Sequence, residues 1–184
     1  MTPNRETKKE ILPILKYGNP LLRKKVANVT DFSELPQFVE LMLLTMREEG
    51  GIGLAANQVG RSINLLVVDT HNVDKKECKT YIFINSKIIK TEGLILMEEG
   101  CLSVPDIRAE IERPKIITIQ YQDLEQTFHE NIFDGITSRV IQHELDHLYG
   151  KFFVDYLSPS NRLLIHKRLL EISKNGKPLS EIIL

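Results

Sequence analysis

His143 and His147 stand four residues apart in the stretch HELDH, with Glu144 directly after the first histidine and Asp146 directly before the second. At about 100° per residue, Ile136, Val140, His143 and His147 fall within one narrow stripe of a helix, with Glu144 on its flank. One turn separates the imidazoles by roughly 6 Å along the axis, so a nitrogen from each can reach the same ion. Ile141, Leu145 and Leu148 take the opposite side, which makes this helix apolar on both faces and predicts its burial. Uncompensated polar groups in a core are expensive. A cation held by neutral imidazoles, with carboxylates as proton carriers or outer partners, offsets that cost. The competing reading is two interior histidines hydrogen-bonded to neighbours with Glu144 reaching outward; on a buried helix the pattern favours the metal.

A catalytic site of this kind takes three protein ligands and keeps one position open. The metzincin pattern HExxHxxGxxH runs through His143, Glu144, His147 and Gly150, then meets Phe153 where the last histidine belongs. A thermolysin-like zincin peptidase would draw a glutamate from a following helix, and Glu171 in LLEISK is available. Upstream, Cys101 lies in MEEGCLSVP, beside Gly100, where the missing side chain lets the backbone pass close to another element or a ligand. Pro105 is expected to stop the strand ladder there. A thiolate with two imidazoles suits zinc or ferrous iron and disfavours magnesium or calcium. Spacing alone leaves Glu171 and Cys101 both open. Cys78 reads as a small buried hydrophobe.

These residues need elements to hold them. Asp31 to Glu34 offers a capping-box spacing, after which Leu35, Phe38, Val39, Met42 and Met46 recur at helical intervals up to Gly50 and Gly51. Short β-branched and aromatic runs at 63–69, 81–85, 87–91, 116–122 and 128–133 predict strands. Their connections lack room for crossover helices, so the strands are expected to be antiparallel. Further helices are predicted at about 136–149 and 159–173. The class is α+β: mostly antiparallel strands around a buried central helix carrying HExxH, with an N-terminal and a C-terminal helix. With no repeat or long linker, residues 1–184 are expected to form one domain, with a basic helix and tail from about residue 158. A formal net charge of -1 gives no global field toward DNA or anionic lipid. The N-terminus has no apolar signal region, no apolar run approaches a membrane span, and two cysteines suit a reducing compartment, so a cytoplasmic location is expected.

Three motifs, GIGLAANQ at 51–58, EGCLS at 99–103 and QHELDHLYG at 142–150, resemble the signatures of the peptide deformylases in the family's order, and KYGNPLLRK at 16–24 is similar to that fold's opening segment. The resemblance spans about residues 11–157. It implies removal of the formyl group from N-formylmethionyl nascent peptides, with Cys101, His143 and His147 binding Fe2+ and with Zn2+, Ni2+ or Co2+ able to substitute. Glu144 would act as general base and acid, while Gln58 and the backbone N–H of Leu102 would hold the carbonyl oxygen. The backbone at Ile52 and Gly53 would pair with the substrate in β fashion, and Met97, Gly100, Ile136 and Val140 would line a pocket for the methionine side chain. Arg139 departs from the family at a position that is commonly apolar beside that pocket. Asn57 stands where proline is frequent. Arg162, His166, Lys167, Arg168, Lys174 and Lys177 make the C-terminal segment locally basic; the resemblance implies a ribosome contact, since in some bacterial relatives a C-terminal helix makes one, and the alternative is a solvated helix face.

Overall fold

The computed structural model describes residues 11–71, 73 and 79–174. In chain order it contains α1 (Leu35–Glu48), β1 (Gly53–Ala55), β2 (Leu65–Asp69), β3 (Thr80–Glu92), β4 (Ile95–Cys101), β5 (Val104–Arg113), β6 (Ile116–Gln122), β7 (Phe128–Phe133), α2 (Gly135–Leu148) and α3 (Pro159–Lys174). Single 3-10 turns cover Pro20–Arg23, Ala56–Val59 and Phe153–Tyr156. Five strands form one sheet in the order β1-β2-β3-β6-β7, and β4 pairs with β5 as a separate hairpin. Every strand pair is antiparallel.

The LLVVD run of β2 is apolar at four successive positions because both faces of the sheet are covered. Leu65 and Val67 turn toward Met42, Met46 and Leu54 under α1, whereas Leu66 and Val68 turn toward Ile141, Leu145 and Leu148 of α2. Burying each of these three α2 side chains contributes about 1.5–3 kcal/mol, which fixes the helix against the sheet despite its two histidines. A third cluster joins the β4–β5 hairpin to the C-terminal part of the chain, through Ile107 and Ile111 against Phe152, Phe153, Leu169 and Ile172. So α2 sits between the sheet and the hairpin, and each contributes residues to the surroundings of HELDH.

Several expectations change in detail. The strands expected at 81–85 and 87–91 are one strand, β3, interrupted by register shifts. At the first shift Asn85 adopts φ 53. Its side chain accepts from Val29 N at 2.7 Å and donates to Val29 O at 2.9 Å, so the bulge doubles as a clamp on the N-terminal segment. The capping box before α1 does not form: Glu34 makes no side-chain cap bond, and Asp31 Oδ1 instead accepts from Ser33 N at 2.9 Å. Pro36 at the start of the helix needs no such partner. Pro105 does not end the ladder. It lies inside β5, next to a register shift where Gly100 pairs with Arg108 and Cys101 with Val104, so no ladder donor is required of it. Cys78 and Lys177 lie outside the described residues.

Candidate metal centre

Cys101 ends β4 at the bulge, and His143 and His147 project from successive turns of α2. The three side chains bring ligand atoms within 4.8 Å of one another, and Cys101 Sγ lies 3.2 Å from His147 Nε2. Ligands at the usual zinc distances in a tetrahedron stand about 3.3–3.6 Å apart, so this donor set fits a divalent ion with little adjustment. Glu171 is exposed on α3 and paired with Arg168 at 3.2 Å. The arrangement expected of a zincin peptidase, with Glu171 as third ligand, is thereby corrected: α3 packs on the hairpin through Leu169 and Ile172, and that packing turns Glu171 to solvent.

His143 Nδ1 lies 2.7 Å from Glu99 Oε2, leaving Nε2 for the ion. Glu99 is buried and held from both sides. Arg113 donates to it at 2.6 and 3.1 Å, and Arg139 Nη1 at 2.9 Å. Arg113 also reaches Asp146 at 2.6 Å, whose other oxygen accepts from Tyr156 Oη at 3.0 Å. Burial resists charge on Glu99, but the hydrogen bonds from His143 and Arg113 outweigh it and hold the carboxyl well below its usual range. Arg139, expected beside a methionine pocket, ties α2 to the hairpin, where it also donates to Ile111 O at 2.9 Å and Ile95 O at 2.6 Å. Glu99 and Arg113 were missed by sequence reasoning. Glu99 carried a usable signal, because residues two apart on a strand share a face and it stands two before Cys101.

The titration of these groups follows from burial and contact. For His143 burial opposes protonation, yet hydrogen bonds to Cys101 and Glu99 raise its pKa well above the ordinary value. Burial, then the neighbouring His143 and Arg113, lower His147 and keep it a neutral donor. Glu144 is pushed up to about 7, first by burial. Its Oε2 is buried with no hydrogen-bond partner among the described residues.

The loop and strand before the hairpin close the site. Gly53 must be glycine on steric grounds, since a Cβ there would lie 2.5 Å from Val140 Cγ1 and 2.6 Å from Glu144 Oε1. Gln58 is buried; its Oε1 accepts from Ala55 N at 2.8 Å, and its Nε2 donates to Ser103 Oγ at 3.1 Å and lies 3.7 Å from Cys101 Sγ. The carbonyl of Leu102 accepts from Lys16 Nζ at 2.9 Å, and its side chain packs where a Cβ on Gly51 would stand. Ile52 leads into β1, an edge strand of the sheet, and its carbonyl accepts from Asp69 N at 2.9 Å. Met97 and Ile136 are half-buried, Val140 is buried against Gly53, and Gly100 is exposed. A Cβ on Gly100 would find its nearest neighbours, Arg108 and the Ile107 carbonyl of β5, at ordinary distances of 3.5 Å or more.

Known proteins resemble this chain in sequence and fold. The polypeptide deformylase family model matches residues 11–163. A peptide deformylase of Flavobacterium johnsoniae is 40% identical, covering 93% of each chain. The crystal structure of peptide deformylase from Thermus thermophilus superposes with a TM-score of 0.84 at 37% identity, covering 91% of this chain and 100% of that one. A Met-Ala-Ser-bound class I type b peptide deformylase from Acinetobacter baumannii superposes with a TM-score of 0.76 at 33% identity, covering 80% of this chain and 99% of that one.

Proposed function

The chain belongs to the polypeptide deformylase family and removes the formyl group from N-formylmethionine at the start of newly made polypeptides; from that premise we propose how its own residues do so. Cys101, His143 and His147 hold one divalent ion, Fe2+ in the cell, with Zn2+, Ni2+ or Co2+ able to occupy the same donors. When bound, the ion supplies Lewis acidity toward water and the formyl oxygen. The observation that carries the reading is a thiol and two imidazoles gathered within 4.8 Å beside a buried carboxylate with an unpartnered oxygen.

Glu144 takes a proton from the attacking water as the new C–O bond forms at the formyl carbon. It then gives a proton to the methionine nitrogen as the C–N bond breaks, leaving formate and a free amino terminus. A carboxyl poised near 7 performs both transfers at neutral pH. Gln58 Nε2 and the Leu102 N–H donate to the carbonyl oxygen as it gains negative charge. Gln58 is preset for this, because its own oxygen is already tied to Ala55 N. The substrate backbone adds alongside Ile52 and Gly53 at the sheet edge, and its methionine side chain lies among Met97, Gly100, Ile136 and Val140.

Residues 1–184 act as one catalytic domain in the cytoplasm, on chains leaving the ribosome and without a DNA or membrane partner. Among the described residues, no helix is long and apolar enough to cross a membrane. In α3, Arg168 is paired with Asp106 and Glu171, and Arg162 with Asp155. A ribosomal contact would draw on the other basic side chains of this segment, among them His166, Lys167, Lys174 and Lys177, and pelleting with ribosomes that weakens steeply with salt and vanishes on truncation after Pro159 supports it. The catalytic reading is tested by formate release from a formyl-Met tripeptide, using protein loaded anaerobically with Fe2+. Wild type turns over and Glu144→Ala loses about 10²–10⁴-fold. Inactive, freshly metallated wild type overturns it.

A further inference from the structure

Asn57 is completely buried, in the same 3-10 turn as Gln58. Its Nδ2 donates to the carbonyl oxygen of His147 at 2.6 Å. That carbonyl already accepts from Gly150 N at 3.0 Å, so satisfying the helix end does not require Asn57. A buried carboxamide is costly unless its atoms are used, and this one uses its donor, while Oδ1 has no partner among the described residues. The same is true of Nδ1 on the His147 ring.

The two unpartnered atoms are complementary. Nε2 of His147 faces Cys101 Sγ, so a metal held there takes Nε2 and leaves the ring proton on Nδ1. Ligating imidazoles almost always place that proton on an acceptor, which fixes the tautomer and the ring's direction. Glu99 does this for His143 at 2.7 Å, but among the described residues His147 Nδ1 has no such partner. Asn57 grips the backbone of His147 itself, and its unused atom is an acceptor. On the other side of the same turn, Gln58 touches Ser103 and lies beside Cys101.

We propose that Asn57 is a positioning residue for the metal centre: its amide nitrogen holds the His147 carbonyl, and its amide oxygen, through one bridging water, accepts the His147 Nδ1 proton and aims Nε2 at the ion. The turn Ala56–Val59 thereby ties the His147 end of α2 to the Cys101 end of β4. This rests on the reading of His147 as a ligand.

The test uses the full chain loaded with Co2+, and follows metal transfer to excess chelator by the loss of thiolate–cobalt absorption. Asn57→Leu removes both polar atoms at similar volume. Asn57→Pro removes them with a residue frequent at this place in the family, so a folding defect in one variant does not hide the result. Release about 10–100-fold faster than wild type is expected, with kcat falling more than KM changes. The metal-free thermal midpoint of at least one variant should stay close to that of wild type. Release within twofold of wild type in both variants overturns the proposal, as does fast release seen only where the metal-free fold has also collapsed. Wild type that fails to retain one Co2+ per chain, or retains it after Cys101→Ala, overturns the ligand set and this inference with it. Retention by wild type alongside normal release from the variants sinks only the role of Asn57.

Discussion

Replacing Glu144 with glutamine in metal-free protein separates the charge of the proposed catalytic carboxylate from its shape. Burial lifts its pKa from the ordinary 4.5 to about 7, with the charge of Glu99 adding to the rise and His143 and Arg113 opposing it. An acid whose folded pKa exceeds its unfolded value binds its proton more tightly in the native state. The stability this contributes is complete below the unfolded pKa and is lost as pH rises through the folded one. At about 1.4 kcal/mol per unit, the rise is worth about 3 kcal/mol across that window. Glutamine does not titrate, so the stability of Glu144→Gln relative to wild type should climb by about 3 kcal/mol between about pH 5 and about pH 8.5. Any cost of leaving the new amide unpaired is independent of pH and drops out of the change. The other titrating groups are shared by both chains and cancel to first order. Urea unfolding in chelator, repeated across the pH range, reads the difference directly. A gap that stays constant within about 1 kcal/mol, or closes as pH rises, refutes the claim that desolvation poises this base.

Other perturbations bear on the parts around it. Glu99→Gln strips the shared anion from between Arg113 and Arg139 and should cost about 3–5 kcal/mol in urea unfolding, since it leaves buried guanidinium charge uncompensated. Gly53→Ala puts a Cβ 2.5 Å from Val140 Cγ1 and 2.6 Å from Glu144 Oε1, so kcat for formate release should fall while stability drops by about 1–3 kcal/mol. Gln58→Leu removes one donor to the developing oxyanion and should lower kcat by about 10²–10³-fold with metal content unchanged.

The buried helix was legible because two periodicities coincide on it: an apolar stripe at Ile141, Leu145 and Leu148, and polar residues one turn apart on the other side. Helix boundaries at both ends of the chain and the antiparallel sheet followed from similar local patterns. The hairpin was harder to see. β5 carries Asp106, Arg108, Glu110 and Glu112 along its exposed side, so its alternation is dominated by charge, and its pairing depends on an upstream partner, β4, that contains two glutamates and a glycine. The candidate third ligand was open on spacing alone because Cys101 is brought to α2 by that hairpin, a tertiary fact with no local signature. Glu99, Arg113 and Arg139 belong to the same blind spot. Each is a charged residue that would be solvated by default, and only packing of the hairpin on α2 buries all three together.

The proposed chemistry stands on one sulfur and two imidazole nitrogens sharing an ion. X-ray absorption of protein loaded with one equivalent of Zn2+ measures that shell directly. One sulfur at about 2.3 Å with two nitrogens at about 2.0–2.1 Å is predicted, the sulfur disappearing in Cys101→Ala. A shell of nitrogen and oxygen alone in the wild-type protein would contradict it.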